Sequence, residues 1–272
     1  MGPAVQPEIR GPVPPGSGWP EDPAGPATPV AHDPAQVLKL AASADDLAEL
    51  EARQSVCRAC PRLVEWREQV AVVRRRQWAD EQYWGRPIPG WGDRDARILI
   101  VGLAPAAHGG NRTGRIFTGD RSGDWLFAAL HRAGLARLPT SQHAGDGQAL
   151  IGARLLSAVR CAPPDNKPTP AERDACAPWL DRELALLLGQ LRVIVVLGAF
   201  GWAATMTALT RAGLPVPRPR PKFGHGATVA LGDLLVIGSF HPSQQNTFTG
   251  RLTEAMLDEV LARACEHAAA SS

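Results

Sequence analysis

The stretch ARILIVGL, residues 96–103, decides the predicted fold, because it is a near-continuous aliphatic run with a glycine, Gly102, near its end. Three similar runs follow along the chain, namely RLLSAVRC (154–161), RVIVVLG (192–198) and DLLVIGSF (233–240). Runs of this length suit strands that are buried on both faces, as in a parallel sheet. Segments with helical spacing lie between them, including DWLFAALHRAGL (124–135) and WLDRELALLLGQL (179–191). The alternation predicts an α/β fold with helices on both faces of a parallel sheet.

The composition indicates a soluble globular protein with an unusual N-terminal segment. Hydrophobic residues make up 44% of the 272 residues, and no apolar run reaches the roughly 18 residues of a membrane helix. The first residues lack the pattern of a secretory signal, so we expect a cytoplasmic protein. Residues 1–46 hold ten prolines and an excess of acidic side chains. We predict a disordered acidic tail over 1–46 and a folded domain over 47–268.

Four of the five cysteines form a plausible metal site. Cys57 and Cys60 make a C-x-x-C pair, and Cys161 and Cys176 flank a proline-rich loop after the second predicted strand. Four thiolates suit either zinc or a [4Fe–4S] cluster, and their spacing does not distinguish the two. Cys265 lies in a C-terminal helical pattern and is predicted to be a packed free thiol.

The carboxyl ends of the predicted strands carry the most informative segments. The first strand continues into GLAPAAHGGNRTGRIFTGD (102–120), which fits neither of the common phosphate-loop patterns. The last strand continues into HPSQQNTFTGRLT (241–253). Ligands bind beyond the carboxyl ends of strands in open parallel sheets. We therefore predict one site there. Two interpretations are open for each of two residues: Phe117 either stacks on a base or packs in the core beside the next helix, and His241 either donates a hydrogen bond to an oxygen that gains negative charge or is a structural histidine.

These segments, with AVRCAPPDNKPTP (158–170), resemble three motifs of the uracil-DNA glycosylase superfamily, and most closely those of its fifth, iron–sulfur family. The resemblance covers roughly residues 50 to 268. It implies a three-layer α/β/α sandwich around a four-stranded parallel sheet, a [4Fe–4S] cluster on the four cysteines, and action on double-stranded DNA. The sequence does not reveal the oligomeric state, and we expect a monomer. Such enzymes flip a damaged base out of the duplex and hydrolyse its N-glycosidic bond, which leaves an abasic site.

The resemblance and the residues together give a set of site predictions. Catalysis is assigned to Asn111, Asn166 and His241; substrate contact to Gly102, Ala104, Phe117, Ser157 and Ser243; DNA contact to Gln244, Gln245, Asn246, Gly250 and Arg251; and cluster binding to Cys57, Cys60, Cys161 and Cys176. Gln244, Gln245 and Asn246 would fill the gap left by the flipped nucleotide. Gly250 and Arg251 would open the last helix and clamp a phosphate.

Two departures from related families shape the predicted chemistry. Leu103 and Ala104 stand where relatives in other families carry polar residues that handle the attacking water, so that task is predicted to pass to Asn111. Asp120 ranks second for this task and Asp165 third. Ser157 stands where an amide is expected to read the uracil edge, and a hydroxyl reads less strictly. We therefore expect broader substrates, including hypoxanthine or other deaminated bases.

Two further predictions concern the class of protein. The chain has only three lysines, Lys39, Lys167 and Lys222, and only Lys167 lies in a motif. A monofunctional glycosylase is therefore favoured over a lyase that acts through a Schiff base. The alternative from another class is a non-catalytic nucleic-acid-binding module that a zinc site stabilises.

Overall fold

The four predicted strands form the centre of a mixed sheet in the computed structural model, which describes residues 11–270. The strands are β1 (Trp91–Gly92), β2 (Ile98–Gly102), β3 (Ala153–Ser157), β4 (Val193–Leu197), β5 (Thr228–Leu231) and β6 (Leu234–Ser239). Their order in the sheet is β1-β3-β2-β4-β6-β5. The four central strands are parallel, as expected, whereas β1 and β5 pair antiparallel at the two edges. These two short edge strands are absent from the sequence prediction.

Helices cover both faces of the sheet. They are α1 (Pro34–Ala42), α2 (Leu47–Ser55), α3 (Pro61–Val73), α4 (Gly110–Thr113), α5 (Arg121–Arg132), α6 (Pro170–Leu187), α7 (Ala199–Arg211), α8 (Gln244–Phe248) and α9 (Glu254–Ala270). Side chains alternate along β2, so Ile98 and Ile100 join the core cluster that contains residues of α5 and α9. Leu99 and Val101 join the cluster that contains residues of α6 and α7. The three-layer α/β/α sandwich is therefore confirmed.

Two predicted helices have different limits in the structure. The helix expected to begin at 179 begins at Pro170, because Thr169 and Glu172 form a reciprocal capping box there. The segment ACPRLVEWREQVAVVRRRQW (59–78), whose sequence also predicts a helix with a basic face, is α-helical only from Pro61 to Val73, where Arg74 takes a φ of 54°. Within residues 11–270, none of the helices combines the length and the apolar character that a membrane crossing requires.

The N-terminal segment is packed, contrary to the prediction of a disordered tail over 1–46. Residues 1–10 lie outside the described part of the chain, but residues from 11 onward contact the rest of the fold. Val13 and Val37 are buried, and Asp22 forms an ion pair of 2.8 Å with buried Arg86. Glu21 similarly pairs with Arg115 at 2.5 Å. For residues 11–46 the prediction was wrong. It was based on the proline-rich composition, whereas a few apolar and acidic residues of this segment form specific contacts with the folded domain.

Candidate active site

One surface cavity lies at the carboxyl edge of the four parallel strands. Its empty volume, part of which is open to solvent, is about 900 Å³. Segments that follow all four strands border it, as the sequence predicts. The lining residues are Leu103, Ala104, Pro105, Ala106, Ile116, Phe117, Asp120, Ser122, Asn166, Leu197, Gly198, Ala199, Phe200, His241 and Ser243. Five of the residues predicted for catalysis or substrate contact therefore share one cavity: Ala104, Phe117, Asn166, His241 and Ser243.

Phe117 provides an aromatic wall of the cavity. Its backbone takes a φ of 51°, which a non-glycine residue adopts only when the surrounding structure imposes it. The ring lies against Gly102, since a Cβ built on Gly102 would come within 2.8 Å of the Phe117 Cζ atom. Gly102 therefore does not line the cavity, contrary to the prediction, but allows the ring to lie there. The Phe117 and His241 rings are 5.7 Å apart at 34°.

His241 is held in a neutral form at physiological pH. It follows β6, and burial lowers the pKa of its imidazole to about 4. Its backbone is also fixed, because the Asn246 side chain donates a hydrogen bond of 2.8 Å to the His241 carbonyl oxygen. A neutral imidazole carries one N–H donor and no charge, so it can polarise a base oxygen without transferring a full proton.

Asp120 is the carboxylate of the cavity. It caps α5, with Oδ1 accepting a hydrogen bond of 2.9 Å from the Gly123 N–H. Its Oδ2 lies so close to the Gly109 backbone that no side chain could be accommodated at residue 109. Burial raises the pKa of the Asp120 carboxyl above its usual value, although the backbone N–H groups of Gly123 and Ser122 oppose the change. A carboxylate whose pKa is raised binds a proton more readily, which suits a general base.

Asn166 reaches the cavity from the loop after β3. Asp165 and Asn166 have consecutive φ values of 53° and 55°, which places both in the left-handed region that few non-glycine residues adopt. Asn166 lines the cavity and Asp165 does not. The strained turn therefore separates the two polar neighbours and presents the amide to the cavity.

Two predicted site residues lie behind the cavity and do not reach it. The Asn111 side chain is 1% exposed, and its Nδ2 donates a hydrogen bond of 3.1 Å to the Arg67 carbonyl oxygen in α3. Ser157 is also buried, and its hydroxyl donates to the Val159 carbonyl oxygen at 2.8 Å. Neither residue lines the cavity that contains His241, so the structure does not bring Asn111 and Ser157 together with the other predicted site residues.

The rim of the cavity carries α8 and the turn before α9. Gln244 and Gln245 are exposed there, as predicted, whereas Asn246 is occupied in holding the His241 carbonyl. The Phe248 side chain is 65% exposed, and the Arg121 guanidinium lies 4.7 Å from the centre of its ring. The sequence analysis overlooked both Phe248 and Arg121. An aromatic residue inside the polar segment HPSQQNTFTGRLT was the available signal.

The predicted helix-start clamp at Gly250 and Arg251 differs from the structure. The last helix, α9, begins only at Glu254, and the Thr253 hydroxyl accepts the Met256 N–H at 3.3 Å. An acidic side chain in the first turn disfavours a phosphate at this helix end. Arg251 instead lies 4.5 Å above the centre of the Phe240 ring and remains exposed, so its side chain alone is available to an anion.

A second, smaller cavity is lined by all four predicted metal ligands. Cys57, Cys60, Cys161 and Cys176 border a space of about 340 Å³. Buried Arg67 donates a hydrogen bond of 3.0 Å to the Cys161 Sγ atom. Among residues 11–270, no three His, Cys, Asp or Glu side chains are arranged to hold a metal ion. Cys265 is apart from this cavity, with its Sγ 3.9 Å from the Ala133 carbonyl oxygen.

Comparison with known proteins agrees with this arrangement. Residues 89–265 match the family description "Uracil DNA glycosylase superfamily". A type-5 uracil-DNA glycosylase of Mycobacterium tuberculosis is 57% identical over 265 residues, which cover 97% of each chain. The chain belongs to the type-5 uracil-DNA glycosylases. A type-5 relative from Thermus thermophilus is 51% identical over 77% of this chain and 93% of its own. A type-4 uracil-DNA glycosylase of Pyrobaculum aerophilum is only 29% identical, over 60% of this chain and 74% of its own.

For a type-5 uracil-DNA glycosylase, the structure thus changes the inventory of candidate catalytic residues. Asp120, ranked second on sequence, is the carboxylate that lines the cavity, whereas Asn111, ranked first, is buried outside it with its Nδ2 bonded to the Arg67 carbonyl oxygen. The spacing of residues along the first motif did not show which of these two side chains lines the cavity. Which polar side chain faces the cavity depends on how the loop from 103 to 120 folds back on α3 and α5.

Proposed function

We propose that this protein is a DNA glycosylase that excises uracil from double-stranded DNA. The observation that carries the proposal is the convergence of a neutral imidazole, a carboxylate, an amide and an aromatic wall in one cavity of a chain from this family. A cavity of this depth accepts a base only after it has left the stack, so the duplex must present the nucleotide flipped out.

The reaction follows from the placement of these groups. Breaking the N-glycosidic bond puts positive charge on the sugar and sends the bonding electron pair to the base. The His241 N–H stabilises the anion that develops on the base oxygen. Asp120 accepts a proton from a water molecule, whose oxygen bonds to the sugar C1′ carbon, and Asn166 orients that water. The products are the free base and an abasic site.

Three finer points belong to the same proposal. No lysine lines the cavity, which supports a monofunctional hydrolase rather than a Schiff-base lyase. The walls are mostly apolar, so few groups read the base edge, and we propose that hypoxanthine or other deaminated bases are accepted too. We further propose that Phe248 with Gln244 and Gln245 enters the gap in the duplex, since apolar wedges are effective there. A monomer in the cytoplasm remains our prediction.

We propose a [4Fe–4S] cluster as the resident cofactor, held by Cys57, Cys60, Cys161 and Cys176. The donor set of four sulfurs around one cavity fits such a group. Buried donors support it as well, because Arg67 already donates to Cys161 while Arg160, beside the same cavity, has two side-chain nitrogens without partners. Hydrolysis requires no electron transfer, so the cluster would tie α2, α3, β3 and α6 together.

The cluster proposal is tested by composition and colour. The purified protein should contain about four irons and four acid-labile sulfides per chain, with visible absorbance. Cys161→Ser should lose most of both, whereas Cys265→Ser should retain them, since Cys265 lies elsewhere. A colourless protein with one zinc per chain would contradict the proposal.

The function is tested with a labelled duplex that holds one uracil, without any added cofactor. The expected result is release of uracil and an alkali-sensitive abasic site in that strand. His241→Ala should slow single-turnover excision by about 10² to 10³-fold. The control is His131→Ala, an exposed histidine at the far end of α5. Binding of the duplex without any release of uracil would instead favour the non-catalytic nucleic-acid-binding module.

A further inference from the structure

A basic surface segment comprises the last two residues of α3 and the turn that follows it, and it is used by none of the chemistry above. We call residues 72–78 the basic loop. Arg75, Arg76 and Gln77 are exposed and border a shallow depression, and Val72 and Val73 are 50% and 72% exposed. The Arg75 and Arg76 side chains form no ion pair and no hydrogen bond within residues 11–270. Two acidic residues follow the basic loop in the chain: Glu81 pairs with Arg112, and Asp80 is exposed.

The end of the basic loop is fixed to the loop that forms the cavity. The Trp78 ring stacks on the His108 ring with centres 5.8 Å apart at 26°, and the Arg112 guanidinium lies 4.5 Å from the centre of the Trp78 ring. The Tyr83 hydroxyl is 3.0 Å from His108 Nδ1. His108 follows the cavity-lining residues 103–106 by two positions. The end of the basic loop is therefore held against the segment that continues from the cavity wall, on a different element from α8.

We propose that Arg75 and Arg76 bind backbone phosphates of the DNA that flanks the flipped nucleotide. This inference rests on the proposed function. One nucleotide enters the cavity, so the phosphates on either side of it remain outside and lie along the rim. Exposed arginines without carboxylate partners release counterions from such phosphates at no loss of existing ion pairs. The stacking of Trp78 reduces the freedom that the loop would lose on binding.

A DNA strand explains the basic loop better than a protein partner would. The two exposed valines could pack against a protein. The arginines next to them, however, have no carboxylate partners, and the proposed substrate of the neighbouring cavity comes from a polyanion. Phosphate contacts of this kind position the duplex and carry no sequence information. The expected signature is a change in salt dependence that is independent of the DNA sequence.

The experiment compares the double variant Arg75→Gln/Arg76→Gln with the wild-type full-length chain. Equilibrium binding to a duplex that contains an abasic-site analogue is measured from low to moderate salt. Each phosphate contact contributes about 0.9 to the slope of log K against log salt concentration. Loss of both contacts should make the slope less negative by about 1.8. Arg75→Lys/Arg76→Lys keeps both charges and should restore most of it.

A charge-matched control removes two cations from other surfaces. Lys39→Gln/Arg137→Gln changes the net charge equally, at an exposed residue of α1 and at an exposed residue after α5. This variant should keep the wild-type slope. An unchanged slope in the Arg75/Arg76 variant, or an equal change in the control, overturns the inference. So does a loss of slope caused by Val72→Ser/Val73→Ser alone, which would point to apolar docking.

The outcome is separable from that of the proposed function. A wild-type chain that excises uracil while the double variant binds with an unchanged slope refutes only the role of the basic loop. If the double variant shows the predicted change in slope but the wild-type chain releases no uracil, the glycosylase activity is refuted and the phosphate contacts remain supported. A wild-type chain that does not bind the duplex refutes both.

Discussion

Replacing Asp120 by Asn separates the chemical role of this side chain from its structural one. The carboxylate caps α5 through the Gly123 N–H and also lines the cavity. Asn caps a helix about as well as Asp. The free energy of unfolding should therefore change by less than about 1 kcal/mol. At pH 8 the Asp120→Asn variant should be at least as stable as the wild type. Burial raises the pKa of Asp120, which means that the charged carboxylate is disfavoured in the folded state.

Activity should respond very differently from stability. A general base contributes about 10² to 10⁴-fold, so the barrier should rise by roughly 3 to 5 kcal/mol in Asp120→Asn. Single-turnover excision of uracil from a duplex measures this change directly. In the wild type the rate should rise with pH as Asp120 loses its proton, at a pH above the usual carboxyl range. The variant should lack that rise.

Asp124 provides the matched control for this experiment. It lies in the first turn of the same helix and is exposed, so Asp124→Asn removes the same charge without touching the cavity. It should excise uracil at nearly the wild-type rate. The reasoning is refuted if Asp120→Asn keeps a rate within about threefold of the wild type. Equal loss in both variants would show that the charge at the start of α5 matters, and not a base in the cavity.

Three further predictions follow from the same geometry. Asn111→Ala removes a buried hydrogen bond to the Arg67 carbonyl oxygen and should lower the free energy of unfolding by about 1 to 3 kcal/mol. The melting temperature should fall by roughly 2 to 10 °C. A catalytic loss of about 100-fold with unchanged stability would contradict a structural role for Asn111. The pKa of His241 is about 4 in the folded state and near 6.5 in the unfolded state. As pH falls from about 6.5 to 4, the wild type should therefore lose stability relative to His241→Gln, by at most about 3 kcal/mol because His241 is partly exposed. Parallel curves of stability against pH for the two proteins would count against this prediction. Phe248→Ala should slow excision more from duplex than from single-stranded DNA, and Phe248→Leu should restore the rate. Ile151→Ala, which changes an exposed apolar residue before β3, should have no effect. Equal slowing on both substrates would show that Phe248 does not enter the duplex as an apolar wedge.

The sequence predicted the parallel core because periodicity is a local property. The four aliphatic runs around Ile98, Leu155, Val193 and Val236 became the four central strands. The edge strands were missed because β1 has two residues and β5 alternates between exposed and buried positions. Their pairing depends on a neighbour already in place rather than on their own composition.

The cavity shows the same division between local pattern and tertiary contact. His241, Phe117 and Asn166 were predicted correctly as cavity residues, because each follows a strand end and strand ends converge in a parallel sheet. Asn111 and Asp120 are nine residues apart in one loop, and nothing in their spacing tells which of them faces the cavity. Packing against Arg67 of α3 buries the amide, and capping of α5 turns the carboxylate toward the cavity.

By itself, the sequence determined the layered α/β fold, the family and the set of four cysteines, since all three are written in residue type, order and spacing. Only the tertiary structure decided which polar groups meet. It folded residues 11–46 onto the domain through Asp22 and Glu21, and it gathered the four sulfurs around one cavity. The physical reason is that burial and hydrogen-bond pairing depend on residues far apart in the chain, and these partners become neighbours only when the sheet and its helices are assembled.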